Sequence, residues 1–157
     1  MIMKTTEMLA EEMPLTQRKE ELKKMADAYE GKHAPQVELQ DQRALYHLMP
    51  PAGWLNDPNG LCWYKGRYHV FFQYSPFTPQ GGMKMWGHYS SPDLLHYEYH
   101  GIAIVPDEAY DRDGVYSGSA ICRGDKLYVF YTGNVKEKGD HDYILSGRGA
   151  NVIRMES

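Results

Sequence analysis

Residues 61–74 read LCWYKGRYHVFFQY, and this stretch decides the fold that the sequence predicts. Two runs rich in aromatic and β-branched residues, at positions 61–64 and 68–74, flank the turn pair Lys65-Gly66, which is the pattern of a β-hairpin. A second stretch, ICRGDKLYVFYT at residues 121–132, repeats this pattern at an offset of 60 residues. The two hairpins therefore indicate a repeated, strand-rich unit.

Further strand candidates lie between the two hairpins, at residues 86–91 and 102–105. About four strands per repeat is the composition of a β-propeller blade, although two Tyr-Val-Phe strands can also match by chance. Propellers close with roughly 4–8 blades, and the 157 residues of this chain would supply only the first two. We therefore predict an all-β partial propeller that is a piece of something larger, since an unclosed propeller leaves strand edges exposed.

The composition agrees with strands and tight turns. Aromatic residues make up 13% of the chain, with 15 Gly and 9 Pro, which favours strands over a helical bundle. The net charge of −4 is scattered, so we expect neither nucleic acid nor an anionic membrane as a partner. No apolar run reaches the roughly 20 residues of a membrane span. Residues 1–12 lack the apolar core of a signal peptide and the chain has two cysteines, so we expect a cytoplasmic protein with reduced thiols.

The N-terminal segment differs from the rest. Apolar residues recur at helical spacing over residues 16–30, and Gly31 is a typical helix stop. We predict a short amphipathic helix there, docked on the strands that follow; a helix that binds a partner is the alternative. The predicted organisation is an N-terminal helical extension, residues 1–35, followed by the partial propeller, residues 36–157.

Residues 54–60, WLNDPNG, are the densest polar segment. One interpretation is a turn, because Pro58 favours an extended backbone at Asp57 and the following Asn-Gly pair suits positive φ. The other interpretation is a sugar site. The Trp54 indole would offer an apolar face, the Asn56 amide would bind hydroxyl groups, and the Asp57 carboxylate would attack an anomeric carbon. The spacing of these residues leaves both interpretations open.

Together with four further segments, residues 54–60 resemble the motifs of glycoside hydrolase family 32, which comprises invertases, fructanases and sucrose-6-phosphate hydrolases. WLNDPNG resembles the W-M-N-D-P-N-G motif that carries the family's nucleophile. The other segments follow in the family's order: FQYSP at 72–76, WGH at 86–88, SPDLLHY at 91–97 and YSGSA at 116–120. The resemblance covers residues 47–133 and implies a five-bladed propeller as the catalytic domain.

The resemblance implies a role for each matched residue. Asp57 would be the nucleophile that forms a fructosyl-enzyme intermediate. The fructose subsite would be lined by Trp54, Leu55, Asn56, Gln73, Trp86, Tyr116 and Ser117, with the two indoles as aromatic walls. Structural alternatives stay open: Gln73 as an exposed strand end, Trp86 as core, and Ser117 as a small residue that a crowded strand needs.

Two further acids of the family have no counterpart in residues 1–157. Neither its R-D-P motif, which stabilises the transition state, nor its E-C motif, which supplies the acid/base, occurs here. The resemblance therefore implies the N-terminal part of a β-fructofuranosidase, a retaining glycosidase, with the chain inactive by itself. Its substrate would be sucrose, sucrose 6-phosphate or a short fructan. The glycine-rich residues 79–84, where many invertases have a tryptophan, resemble the bacterial sucrose-6-phosphate hydrolases.

Two alternatives come from other classes of protein: a fructoside-binding remnant without activity, and one part of a multi-chain assembly. No cofactor and no metal are expected. The cysteines, 60 residues apart, lack zinc-ligand spacing, and residues 107–114 lack the ligands of a calcium loop. The sequence leaves the oligomeric state open.

Overall fold

The structure, a computed structural model, describes residue 10 and residues 12–142 and 144–157. Residues 1–9, on which the expected lack of a signal peptide largely rests, lie outside the described residues. A long helix, α1 (Leu15–Glu38), comes first. The strands that follow are β1 (Trp54–Tyr64), β2 (Arg67–Ser75), β3 (Met85–Ser91), β4 (Glu98–Ile104), β5 (Val115–Arg123), β6 (Lys126–Lys136) and β7 (Arg148–Glu156).

The strands form two antiparallel sheets with the orders β1-β2-β3-β4 and β5-β6-β7. Both predicted hairpins are confirmed, as β1–β2 and β5–β6. Lys65 and Gly66 connect the first with φ values of 46° and 77°, and positive φ at both positions is the geometry that matches the twist of paired strands. Strand β7 was not predicted, because its residues are mostly exposed and show little alternation.

The two sheets pack side by side through β1 and β5, as adjacent blades of a propeller do. The core between them consists of Phe71, Trp86, Ile104, Val115, Leu127, Val129 and Tyr131. Cys62 and Cys122, which are equivalent in the repeat, meet at this interface as free thiols. Burial, with the Cys122 thiol alongside, raises the pKa of Cys62 to about 12. Cys122 Sγ donates to the Trp63 carbonyl at 3.1 Å.

Helix α1 docks on the first sheet, as predicted, with Leu22 and Ala26 completely buried. The expected stop at Gly31 is wrong, because α1 continues through Gly31 and Pro35 to Glu38. The Tyr29 ring stacks on His33 at 4.2 Å, a contact that holds the turn after Gly31. The helix thus extends across residue 35, where the sequence divides the chain into an N-terminal extension and a partial propeller. This division stays a prediction. Among the described residues, no helix combines the length and the apolar character that crossing a bilayer requires.

Two buried charged residues fasten α1 to the rest of the chain. Arg18 is 5% exposed, and its guanidinium donates to the backbone carbonyls of Ala10, Pro106 and Arg112. Glu30 Oε1 accepts hydrogen bonds from the hydroxyl groups of Tyr74, at 2.7 Å, and Tyr99, at 2.9 Å. Burial raises the pKa of the Glu30 carboxyl above its usual range. These bonds fasten the helix to β2, to β4 and to the segment between β4 and β5. Strand β2 in turn pairs with β1, the strand that carries Asp57.

Candidate active site

Asp57 lies within β1, at a β-bulge. Its neighbours Asn56 and Pro58 pair with consecutive residues of β2, which leaves Asp57 as the extra residue. The φ angle of Asp57 is 40°, in the left-handed region that non-glycine residues rarely adopt, so the expected extended backbone is wrong. Asn59 Nδ2 donates to the Asp57 carbonyl at 2.8 Å and holds this conformation. Strained backbone of this kind is typical of functional positions.

Ser117 lies at a matching bulge in β5. Its neighbours Tyr116 and Gly118 pair with consecutive residues of β6, so Ser117 is again the extra residue. A Cβ at Gly118 would lie 1.8 Å from the Phe130 carbonyl oxygen, and only glycine lets the strands approach this closely. Ser117 Oγ donates to Asp57 Oδ2 at 2.9 Å. Ser117 therefore does more than occupy a crowded strand: it fixes the orientation of the Asp57 carboxylate.

A polar pocket of about 300 Å³ opens between the two sheets at this hydrogen bond. It is lined by Asp57, Gln73, Tyr116, Ser117, Thr132, Asn134, Arg148 and Ala150. The structure thus brings four of the eight predicted site residues together. Gln73 is 6% exposed, so it is not an exposed strand end.

The other four lining residues were missed by the sequence interpretation. Thr132 and Asn134 are two apart on β6 and therefore face the same side. Thr132 is the last residue of the predicted hairpin strand, and Asn134 lies beyond it. Arg148 and Ala150 belong to β7, which was not predicted. Their position beside Asp57 depends on the pairing of β6 with β7, which joins residues that the sequence motifs do not connect.

Trp86 is completely buried between the sheets and does not line the pocket. Its ring packs against Phe71 and Tyr131, and its Nε1 donates to the Tyr116 carbonyl at 3.1 Å. In this structure Trp86 supports Tyr116 from within the core. Its predicted role as an aromatic wall of the subsite is not visible in this arrangement.

Trp54 and Leu55 face a different cavity, of about 650 Å³, between α1 and the segment that precedes β1. Lys84 Nζ lies 4.4 Å from the centre of the Trp54 ring, close enough for a cation–π contact. Asn56 is exposed beside Asp57 and pairs with Gln73 across the sheet. The larger cavity has no carboxylate among its lining residues, so the smaller pocket has the chemistry of the candidate site.

The pocket offers one carboxylate, on Asp57, and one guanidinium, on Arg148, together with hydroxyl and amide groups. This mixture suits a ligand with several hydroxyl groups. A carboxylate held by a serine can act as a nucleophile toward an anomeric carbon. A retaining glycosidase also needs a second carboxyl about 5–5.5 Å away, and the residues that line the pocket supply none besides Asp57.

Comparison with known proteins finds a matching family. Residues 47–147 match the family described as the glycosyl hydrolases family 32 N-terminal domain. The sucrose-6-phosphate hydrolase of Bacillus subtilis (strain 168) is 44% identical over 124 residues, which cover 79% of this chain and 26% of that protein.

Solved structures of family 32 enzymes also superpose on this chain. The family 32 β-fructofuranosidase of Bombyx mori superposes with a TM-score of 0.74 at 32% identity, over 88% of this chain and 28% of that one, and a mutant of it was solved in complex with sucrose. The sucrose-6-phosphate hydrolase of Lactobacillus gasseri gives a TM-score of 0.72 at 40% identity, over 83% of this chain and 25% of that one. The chain thus spans about a quarter of the length of these relatives. Its two sheets are blades of a β-propeller, so the predicted all-β partial propeller with an N-terminal helix is confirmed.

Proposed function

The chain belongs to glycoside hydrolase family 32, and from this premise we propose that it supplies the nucleophile side of the fructose site of a β-fructofuranosidase. The reaction is hydrolysis of the terminal β-fructofuranoside bond of sucrose or sucrose 6-phosphate. The observation that carries the proposal is the 2.9 Å hydrogen bond from Ser117 Oγ to Asp57 Oδ2 inside a polar pocket. This bond leaves Asp57 Oδ1 as the oxygen to attack the anomeric carbon.

The proposed reaction has two displacements. Asp57 Oδ1 forms a bond to the anomeric carbon of the fructosyl unit as the bond to the glucosyl oxygen breaks. The departing oxygen takes a proton from a second carboxylic acid, which then takes a proton from the water that releases fructose. The configuration is retained. We place the second acid outside residues 1–157, because the family's E-C motif does not occur in the sequence and, among the described residues, Asp57 is the only carboxylate that lines the pocket.

Several residues of the pocket support the fructosyl unit in this proposal. The buried Gln73 amide and the polar groups of Tyr116 and Ser117 surround the position that the sugar ring would take. Asn56 stands at the rim next to Asp57. Trp86 would act by holding Tyr116 in place. Trp54 and Leu55 line the other cavity, so the proposal gives them no contact with the fructosyl unit.

Both sucrose and sucrose 6-phosphate stay within the proposal, because relatives named for each superpose on or align with this chain. Nucleic acids and membranes are not proposed as partners. By itself the chain would bind a fructoside without hydrolysing it, since one carboxylate can form the intermediate but cannot protonate the leaving oxygen. A cytoplasmic location stays a prediction.

The proposal is tested in a hybrid enzyme, in which this chain replaces the N-terminal quarter that it matches in the Bacillus subtilis sucrose-6-phosphate hydrolase. Glucose release from sucrose and glucose 6-phosphate release from sucrose 6-phosphate are measured for the hybrid and for Asp57→Asn. The amide keeps the shape and the hydrogen bond of the side chain but is a poor nucleophile. We expect the variant to lose activity by a factor of about 1,000 or more.

Asn151→Leu is the control variant, because Asn151 is exposed and its side chain donates to the Tyr110 carbonyl, away from the pocket. It should hydrolyse both substrates as the unmodified hybrid does. Retention of normal hydrolysis by Asp57→Asn would overturn the assignment of the nucleophile.

A further inference from the structure

Asn134 is a polar residue of the pocket whose side chain has no hydrogen-bond partner among the described residues. It is 1% exposed and lines the pocket together with Asp57. Neither Nδ2 nor Oδ1 of its amide makes a hydrogen bond within the part of the chain that the structure describes. A buried amide in this state is costly, because it has given up its hydrogen bonds to water. The β6 wall of the pocket thus contains an unused donor and an unused acceptor.

The backbone of Asn134 fixes the side chain in this position. Its amide N donates to the Gly114 carbonyl at 2.9 Å, and its carbonyl accepts from the Asp113 amide at 3.0 Å. On the other side Asn134 pairs with Ala150 of β7. These contacts hold the backbone of the residue on both sides, so its Cα cannot shift toward another protein partner without breaking them.

Opposite walls of the pocket come from the two sheets. Asp57 and Gln73 belong to β1 and β2 of the first sheet, whereas Thr132 and Asn134 belong to β6 of the second. A sugar bound against Asp57 would therefore lie between the sheets and expose its other hydroxyl groups to the β6 wall. An amide can donate to one hydroxyl and accept from another, or do both with one hydroxyl, since a hydroxyl group is both donor and acceptor.

We propose that the Asn134 amide is a substrate-binding group, which hydrogen-bonds hydroxyl groups of the fructosyl unit held against Asp57. This inference rests on the proposed function. The second sheet would then bind the sugar directly through Asn134, in addition to supporting the nucleophile through Ser117. Substrate binding would then satisfy an amide that has no hydrogen-bond partner among the described residues.

The experiment measures binding of sucrose to the 157-residue chain by calorimetry, together with its thermal unfolding. Asn134→Leu replaces the amide by an apolar group of similar size. A buried amide with no role in binding can be replaced in this way without a loss of affinity and without a loss of stability. We expect unchanged or increased stability and an affinity for sucrose that is lower by a factor of about 10 or more, the equivalent of one or two hydrogen bonds.

Asn151→Leu is the matched control, with the same substitution on the neighbouring strand and away from the pocket; its affinity should equal that of the wild type. Equal affinity of Asn134→Leu and wild type would overturn the inference and leave the proposed function intact. A folded wild-type chain that binds no sucrose would overturn both. As a second measurement, the same substitution in the hybrid enzyme should lower kcat/KM for sucrose by a similar factor; unchanged kcat/KM would also overturn the inference.

Discussion

Asp57 and Ser117 occupy the same position in two successive repeats and are joined by a hydrogen bond of 2.9 Å. They are 60 residues apart, which is the offset at which the two hairpins match. Each is the extra residue of a β-bulge in the first strand of its sheet. The site therefore arises where two equivalent bulges of neighbouring blades face each other, one contributing a carboxylate and the other a hydroxyl group.

The hydrogen bond from Ser117 should contribute to catalysis. In the hybrid enzyme we expect Ser117→Ala to lower kcat/KM for sucrose by roughly 10–100-fold, because a hydrogen bond to a charged group is worth about 1.5–3 kcal/mol. Ser119→Ala is the matched control, since Ser119 is exposed on the same strand and does not line the pocket. Equal losses in the two variants would mean that Ser117 has no specific role.

Gly118 should be required for the bulge that positions Ser117. In Gly118→Ala the new methyl group would lie 1.8 Å from the Phe130 carbonyl oxygen, so β5 and β6 must separate. We expect the free energy of unfolding, measured with urea, to fall by about 1–3 kcal/mol or more. Gly149→Ala on β7 is the control, because its nearest contact is the Val135 Cβ at 3.6 Å, and it should unfold as the wild type does. A Gly118→Ala protein as stable as the control would contradict the prediction.

The repeat was sufficient to predict both hairpins, because strands and tight turns leave a local pattern of alternation and glycine. The motifs contained four of the eight residues that line the pocket. The bulges were not predictable. The Pro58 ring favours an extended residue before it, yet Asp57 has φ of 40° because of the strand register and the hydrogen bond from Asn59. The register of β1 is set by its pairing with β2, and the local residue propensities do not determine it.

Two further differences have the same origin in tertiary contacts. Helix α1 continues beyond Gly31, although glycine is a weak helix former, because Tyr29 packs edge-on against Phe77 and stacks on His33 of the next turn. Trp86, which the motif places in the subsite, is completely buried at the junction of the sheets. A motif identifies which residues a site needs, but the packing decides which of them reach the ligand and which support it from behind.

Glu30 should make the stability of α1 docking depend on pH. Burial raises the pKa of its carboxyl in the folded protein, so the folded state binds this proton more tightly than the unfolded state does. The contribution of Glu30 to stability is therefore complete below the unfolded pKa, near 4.5, and is lost as the pH rises through the folded pKa. We expect wild type to gain stability relative to Glu30→Gln, which cannot ionise, as the pH falls from 7 toward 4.5, in urea unfolding.

A pH-independent difference between these two proteins would contradict that prediction. Glu30→Ala tests the hydrogen bonds separately, because it leaves the buried Tyr74 and Tyr99 hydroxyl groups without their acceptor. Its free energy of unfolding should be lower than that of wild type by about 2 kcal/mol or more near pH 4.5, where the contribution of the wild-type carboxyl is largest.

His88 should make the stability depend on pH in the direction opposite to that of Glu30. Burial, with His100 and His69 alongside, lowers its pKa to about 3, whereas an unfolded histidine titrates near 6.5. The neutral ring stacks on Phe71 at 4.4 Å and hydrogen-bonds His69 at 2.9 Å. Stability from His88 is therefore present above about pH 6.5 and is lost progressively as the pH falls toward 3. In urea unfolding, the advantage of wild type over His88→Gln should shrink between pH 7 and 4. A constant advantage of wild type would show that the His88 ring titrates alike in the folded and unfolded states.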